Sequence, residues 1–255
     1  HDPDRDRFVM SKGHCSPALY PILALRGFFP VESLKMFRRI DGHMSGHVEM
    51  HYNPGVDMST GSLGQGISVA VGMALAGKLA KKDYRVYTIL GDGEVAEGQV
   101  WEAAMAANKY HLDNFCAIID VNGLQIDGAT KDVMPTEPLD EEFASFGFHV
   151  VKIDGHDYGQ IEAAFAEAAA TKGQPTVVLA KTVKGKGVSF MAARPRTTSS
   201  LHRQRPSWKL RSRNWRVKTW RKKLQPEKLT ARRSPHLPRN IPSSSALTRI
   251  LRAQP

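Results

Sequence analysis

The chain has 255 residues, enough for one large domain or two small ones with a sizeable core, and a formal net charge of +11. Residues 192–255 carry 18 of the 36 Lys and Arg and a single acid, Glu227, so the body before them is mildly acidic at −6. A nucleic-acid or membrane-surface reading therefore rests on that tail alone. Apolar runs fall short of a membrane span, HDPDRDR is unlike a secretory leader, and Cys15 and Cys116 lack CxxC spacing. The expectation is a cytoplasmic protein with two buried free thiols.

In chain order, PALYPILALRG (17–27) and VESLKMFRRI (31–40) have helical spacing, and a glycine- and histidine-rich loop follows from Asp41 to about Gly61. SLGQGISVAVGMALAGKLAKK (62–82) reads as a helix whose Gly and Ala content implies close backbone packing, since each glycine costs a helix about 1 kcal/mol relative to alanine. RVYTIL (85–90) and FCAIID (115–120) read as buried strands, with a helix in EGQVWEAAMAANKYH (97–111) between them. HVVKID (149–154), an alanine-rich helix near 157–172 and PTVVLAKT (175–182) continue the alternation. Unbroken apolar strands spaced by helices predict an α/β fold, a parallel sheet with helices on both faces. From Ala192 onward the chain is rich in Arg, Ser and Pro without a sustained period, which divides it into a domain at 1–191 and an irregular basic tail at 192–255.

Ligands of parallel α/β sheets bind at the carboxyl ends of the strands. Two polar turns fall there: Gly91-Asp92-Gly93 after the first buried strand and Val121-Asn122-Gly123 after the second, with Asp92 and Asn122 thirty residues apart. A carboxylate and an amide oxygen on neighbouring strands form a hard-oxygen pair suited to Mg²⁺ with phosphate oxygens as further ligands. The flanking glycines would admit a diphosphate close to the backbone, and the helix from Glu97 could add its N-terminal field. A surface turn or a structural polar pair is the alternative on these residues alone.

Longer stretches narrow the choice. DRFVMSKGH (6–14), GHVEMHYNPGVDMSTGSLGQGIS (46–68), GDGEVAEGQVWEAA (91–104) and DVNGLQIDG (120–128) resemble, in order, the N-terminal thiamine-diphosphate-binding domain of transketolases. The resemblance runs from about Asp4 to Met191. It implies two cofactors, thiamine diphosphate and Mg²⁺, with Asp92, the Asn122 side chain and the Leu124 carbonyl on the metal. Gly93 and Asn122 would touch the diphosphate, Leu124 and Ile126 would flank the thiazolium, and Gly61, Ser62, Leu63 and His14 would line the cofactor. His47 would bind the sugar and assist proton transfer, a role suited to an imidazole, with His14 beside it as a second catalytic residue. Glu97 and Glu102 resemble carboxylates near the family's subunit interface. The implied activity is transfer of a two-carbon glycolyl unit from a ketose phosphate to an aldose phosphate.

The resemblance also implies a partner. The pyrimidine-binding domain is missing, so the expected assembly is a two-chain enzyme completed by a C-terminal transketolase subunit, in the form of a dimer or heterotetramer. A preceding helical segment with a substrate-contacting histidine is missing too, and His202 lacks the tryptophan context of the family's later histidine. A reading-frame shift near Met191 would account for the change of texture there; a genuine nucleic-acid-binding tail, with Trp208, Trp215 and Trp220 available for stacking, is the other account. Alternative functions are another thiamine-dependent enzyme, such as a deoxyxylulose-phosphate synthase or dehydrogenase component, and a non-catalytic nucleic-acid-binding protein. Three local readings stay open. His43, His47 and His51 have the i, i+4 spacing of helical zinc ligands, although the surrounding glycines favour a loop. Lys184 and Lys186 in KTVKGKG could meet phosphate or simply solvate a strand end. Asp120 and Asp127 are explained by turn chemistry.

Overall fold

The structure is a computed structural model that describes residues 2–126, 128–189 and 191–192. Five strands form one parallel sheet: β1 (Arg7–Met10), β2 (Val86–Gly91), β3 (Phe115–Val121), β4 (His149–Asp154) and β5 (Thr176–Lys181), in the spatial order β1-β2-β3-β5-β4. The helices are α1 (Ser16–Leu25), α2 (Gln65–Leu79), α3 (Gly98–Lys109), the single turn α4 (Thr130–Val133), α5 (Leu139–Ser145) and α6 (Tyr158–Ala170).

Alternation along the strands sends side chains to two layers. Val86, Leu90, Phe115, Ala117, Ile119, Val177 and Leu179 share a core with α2, α3 and α5, through residues such as Ile67, Ala104 and Phe143. On the opposite face Tyr87, Cys116, Val151 and Val178 meet Ala164 and Ala168 of α6. Because both faces are covered, central strands have no solvent side and read as continuous apolar runs. A smaller cluster joins Met10 to Leu19, Tyr20 and Leu23 of α1 and to Met44, Val48 and Val56 of the loop between α1 and α2.

The small residues of α2 do hold its backbone close to its neighbours. A Cβ on Gly66 would lie 2.6 Å from Ser11 Oγ, and one on Gly77 2.7 Å from the Tyr84 ring. Either contact would force a neighbour to move.

One expectation changes, and two features are additional to the pattern. Residues 31–40 do not form an α-helix: Val31–Met36 is a 3-10 helix with no buried residue. Over six residues a period of 3.0 matches the same apolar spacing as 3.6, and without a face to bury nothing selects the α form. The edge strand β1 and the short helix α5 are additional to the elements read from the pattern. β3 and β4 follow one another in sequence but are not neighbours, because β5 lies between them.

Candidate functional site

β2 and β3 are in register to their last pair, Gly91 opposite Asp120, and the Asp92 N–H still donates to the Asp120 carbonyl at 3.2 Å. Asp92 and Asn122 therefore leave the sheet side by side at its carboxyl edge. Asp92 is 3% exposed. Its Oδ1 accepts from the Gly93 N–H at 2.8 Å and its Oδ2 from the Gly123 N–H at 2.6 Å. Gly123 has φ +73°, which a side chain would strain, so glycine is what lets that turn present its N–H. Asn122 Oδ1 accepts from the Leu124 N–H at 3.1 Å, and its Nδ2 donates to the Asp120 carbonyl at 3.4 Å.

Burial pushes the Asp92 carboxyl above the usual carboxylate range; nearby Asp120 adds to this and the Gly123 and Gly93 hydrogen bonds oppose it. A cation placed there would relieve the penalty on the ionised form. Asp120 itself is held below the usual range. Burial acts to raise it, but Lys12, Thr182 and Asn122 together outweigh that. Lys12 Nζ bonds one Asp120 oxygen and Thr182 Oγ1 the other, so Asp120 is an ion-pair partner rather than only a turn residue.

A cavity of about 1900 Å³ opens over these strand ends. Asp92, Gly93, Asn122, Leu124 and Ile126 line it from the β2 and β3 turns. Gly61 and Leu63 line it from the segment before α2, and His14 and His47 from the loops around α1. The His47 ring packs over Gly61, 3.2 Å from where a Cβ would stand. Desolvation, with Lys12, Lys184 and His47 close by and Asp120 opposing, lowers His14 to about 4, which leaves it neutral at ordinary pH. Ser62 is not on the cavity wall; it is exposed, and its carbonyl accepts from the Gln65 N–H at 3.4 Å.

Glu97 is the N-cap residue of α3 and lines the cavity, whereas Glu102 lies on the exposed side of that helix, off the cavity wall. Lys184 and Lys186 also line it. The three loop histidines have separate partners: His43 stacks on Tyr52, His51 meets Glu49 at 2.5 Å, and His47 covers Gly61. Among the described residues no group of three or more His, Cys, Asp or Glu could hold a metal ion, so the zinc alternative has no cluster to rest on. Asp127, His202, Trp208, Trp215 and Trp220, and the tail from Ala193, lie outside the described residues.

Sequence reasoning missed three participants: Lys12, Glu94 and Gln125. Lys12 lies within a recognised stretch but carries no local sign of its partner 108 residues away. Gln125 packs against Gly93, where a Cβ would come within 2.7 Å of Gln125 Cγ, and its Nε2 is buried without a hydrogen-bond partner. A buried, unused donor beside a glycine cradle fits an anionic group that supplies the missing acceptor.

These features are those of an α/β domain that binds thiamine diphosphate, and a family model described as "Transketolase, thiamine diphosphate binding domain" matches residues 1–203. The chain belongs to the transketolase family, as its N-terminal, thiamine-diphosphate-binding part. It is 50% identical over 188 residues to the 6-deoxy-6-sulfo-D-fructose transketolase subunit of Clostridium sp. (strain MSTE9), covering 74% of this chain and 68% of that one. It is 46% identical over 187 residues to an apulose-4-phosphate transketolase subunit of Phocaeicola vulgatus, covering 73% and 66% respectively. Transketolase from Leishmania mexicana superposes with a TM-score of 0.69 at 38% identity, over 72% of this chain and 29% of that one. The chain thus spans about two thirds of these subunit relatives and under a third of that transketolase chain. Among the described residues no helix is long and apolar enough to cross a membrane.

Proposed function

We propose that this chain, through its domain at 1–191, is the diphosphate-binding half of a transketolase. In this reading it transfers a two-carbon glycolyl unit from a ketose phosphate to an aldose phosphate in cytoplasmic carbohydrate metabolism. The observation that carries the reading is the pairing of buried Asp92 with Asn122 at adjacent strand ends above a glycine-lined cavity. The similarity to proteins named as transketolase subunits supports a second chain that supplies the pyrimidine-binding side, in a dimer or heterotetramer.

In this reading Asp92, Asn122 Oδ1 and the Leu124 carbonyl hold Mg²⁺, and Gly93 and Asn122 meet the diphosphate. One carboxylate, one amide and a backbone carbonyl are hard oxygen donors that would suit Mg²⁺ together with diphosphate oxygens. Once bound, thiamine diphosphate supplies the carbon–carbon bond chemistry; the protein contributes binding, orientation and exclusion of water. Leu124 and Ile126 provide an apolar wall for the cofactor. His47, whose exposed ring stands over Gly61, takes and returns the proton of a sugar hydroxyl, while neutral His14 serves as a hydrogen-bonding group.

The test is turnover of a ketose phosphate with an aldose phosphate by the full chain together with a pyrimidine-binding subunit. Transfer that requires both chains, Mg²⁺ and thiamine diphosphate is expected, with loss in His47→Ala. Absence of transfer alongside consumption of pyruvate would replace this reading with a different thiamine-dependent reaction.

A further inference from the structure

Glu94 lies two residues after Asp92 and is 2% exposed. Its Oε1 accepts from Ser11 Oγ at 2.5 Å and from the Gly64 N–H at 3.0 Å, and its Oε2 accepts from the Gly91 N–H at 3.1 Å. The three donors come from three separate segments. Ser11 follows β1 and leads into Lys12 and His14. Gly64 closes the Gly61–Leu63 stretch and caps α2 with φ +80°. Gly91 ends β2 directly before Asp92.

Among the described residues Glu94 forms no ion pair of 4.0 Å or less, and Lys12, whose charge acts on it, is engaged by Asp120. Burying a carboxylate on neutral donors is costly, and where shape alone matters an apolar side chain does as well. A carboxylate offers what an apolar group cannot: several acceptor positions that hold three N–H and O–H groups in one fixed relation. The segments so held carry the metal carboxylate, the cofactor-lining turn and the neutral histidine. The fit is tight as well, because a Cβ on Gly66 would lie 2.6 Å from Ser11 Oγ.

We propose that Glu94 is a positioning residue for Mg-thiamine diphosphate, pinning Ser11, Gly64 and Gly91 so that the three walls of the diphosphate site keep one arrangement. It acts through these groups rather than on reacting atoms, and the inference rests on the functional reading above.

Calorimetric titration of the full 255-residue chain with thiamine diphosphate and Mg²⁺ tests it, run on wild type, Glu94→Gln, Ser11→Ala and Asp92→Asn, each with a thermal melt. In Glu94→Gln the amide cannot accept at both ends, so the Ser11–Gly64 side and Gly91 can no longer both be held. The expected result is at least tenfold weaker cofactor binding in a chain that still melts cooperatively, and a several-fold loss in Ser11→Ala. With the partner subunit, the KM for cofactor should rise while kcat at saturating cofactor recovers, a split that a purely structural residue would not produce. Wild-type affinity in folded Glu94→Gln overturns the proposal and leaves the functional reading intact. If Glu94→Gln does not fold, unchanged affinity in Ser11→Ala overturns it instead. No binding by folded wild type with the pyrimidine-binding subunit present, or equal binding by Asp92→Asn, removes the functional reading and this inference with it.

Discussion

Lys12 and Asp120 form an ion pair between the carboxyl ends of β1 and β3, directly beside the turn that carries Asp92. The Lys12 side chain is 11% exposed and that of Asp120 24%, so the pair is neither fully buried nor at the surface. It distinguishes two neighbouring acids: Asp120 is neutralised by a lysine within the protein, whereas the Asp92 oxygens accept from the Gly93 and Gly123 N–H groups.

Lys12→Gln should therefore leave Asp120 without its cation. Exposed pairs are worth about 0–1 kcal/mol and breaking a buried one costs about 3–5 kcal/mol, so a loss of about 2 kcal/mol is expected here. Urea denaturation reads it directly. A change below a few tenths of a kcal/mol would mean that solvent compensates Asp120.

Gly13→Ala should destabilise the loop that carries His47. A Cβ there would stand 2.5 Å from the Thr60 carbonyl oxygen, which belongs to backbone and cannot swing aside. Val48 N–H donates to the Gly13 carbonyl at 3.1 Å and Thr60 N–H to that of Val48 at 3.0 Å, so the displacement would pass along the loop. Overpacking of this kind costs about 1–3 kcal/mol. The melting temperature should fall, and an unchanged one would show that the loop adapts.

His14 should titrate near 4 in the folded chain, well under its ordinary 6.5. Between those values the unfolded chain binds more protons, so stability rises with pH across that window. The contribution is complete above about 6.5 and is lost as pH falls through about 4. Comparing unfolding free energies of wild type and His14→Gln from pH 4 to 7 isolates it. A constant difference between the two would contradict a depressed folded value.

Asp92→Asn should abolish the metal dependence of thiamine diphosphate binding. The amide loses the charge that favours a divalent ion, and its N–H₂ group would face either the Gly93 or the Gly123 N–H. A loss of at least tenfold, about 1.4 kcal/mol or more, is expected by calorimetry with Mg²⁺ present. Binding as tight as wild type with Mg²⁺ would remove Asp92 from the metal site.

Much of the architecture was legible from apolar patterning. Residues 85–90, 115–120 and 175–182 became β2, β3 and β5 within a residue or two, because strands covered on both faces cannot tolerate polar interruptions. β1 was not legible. It is four residues long, its first two residues are only half-buried, and RFVM has neither the length nor the alternation of a strand signal. α5 was hidden because Asp140, Glu141 and Glu142 surround its two buried residues, Leu139 and Phe143.

The sequence by itself determined the parallel α/β class, the family resemblance and the placing of Asp92 and Asn122 at strand ends, since each depends on residue type and spacing along a short stretch. Tertiary structure alone decided the strand order with β5 between β3 and β4, the Lys12–Asp120 pair and the convergence of Ser11, Gly64 and Gly91 on Glu94. The physical reason is distance along the chain. A buried polar group must find partners wherever the packed backbone brings them, and for Glu94 two of the three lie 30 and 83 residues away, beyond the reach of any local pattern.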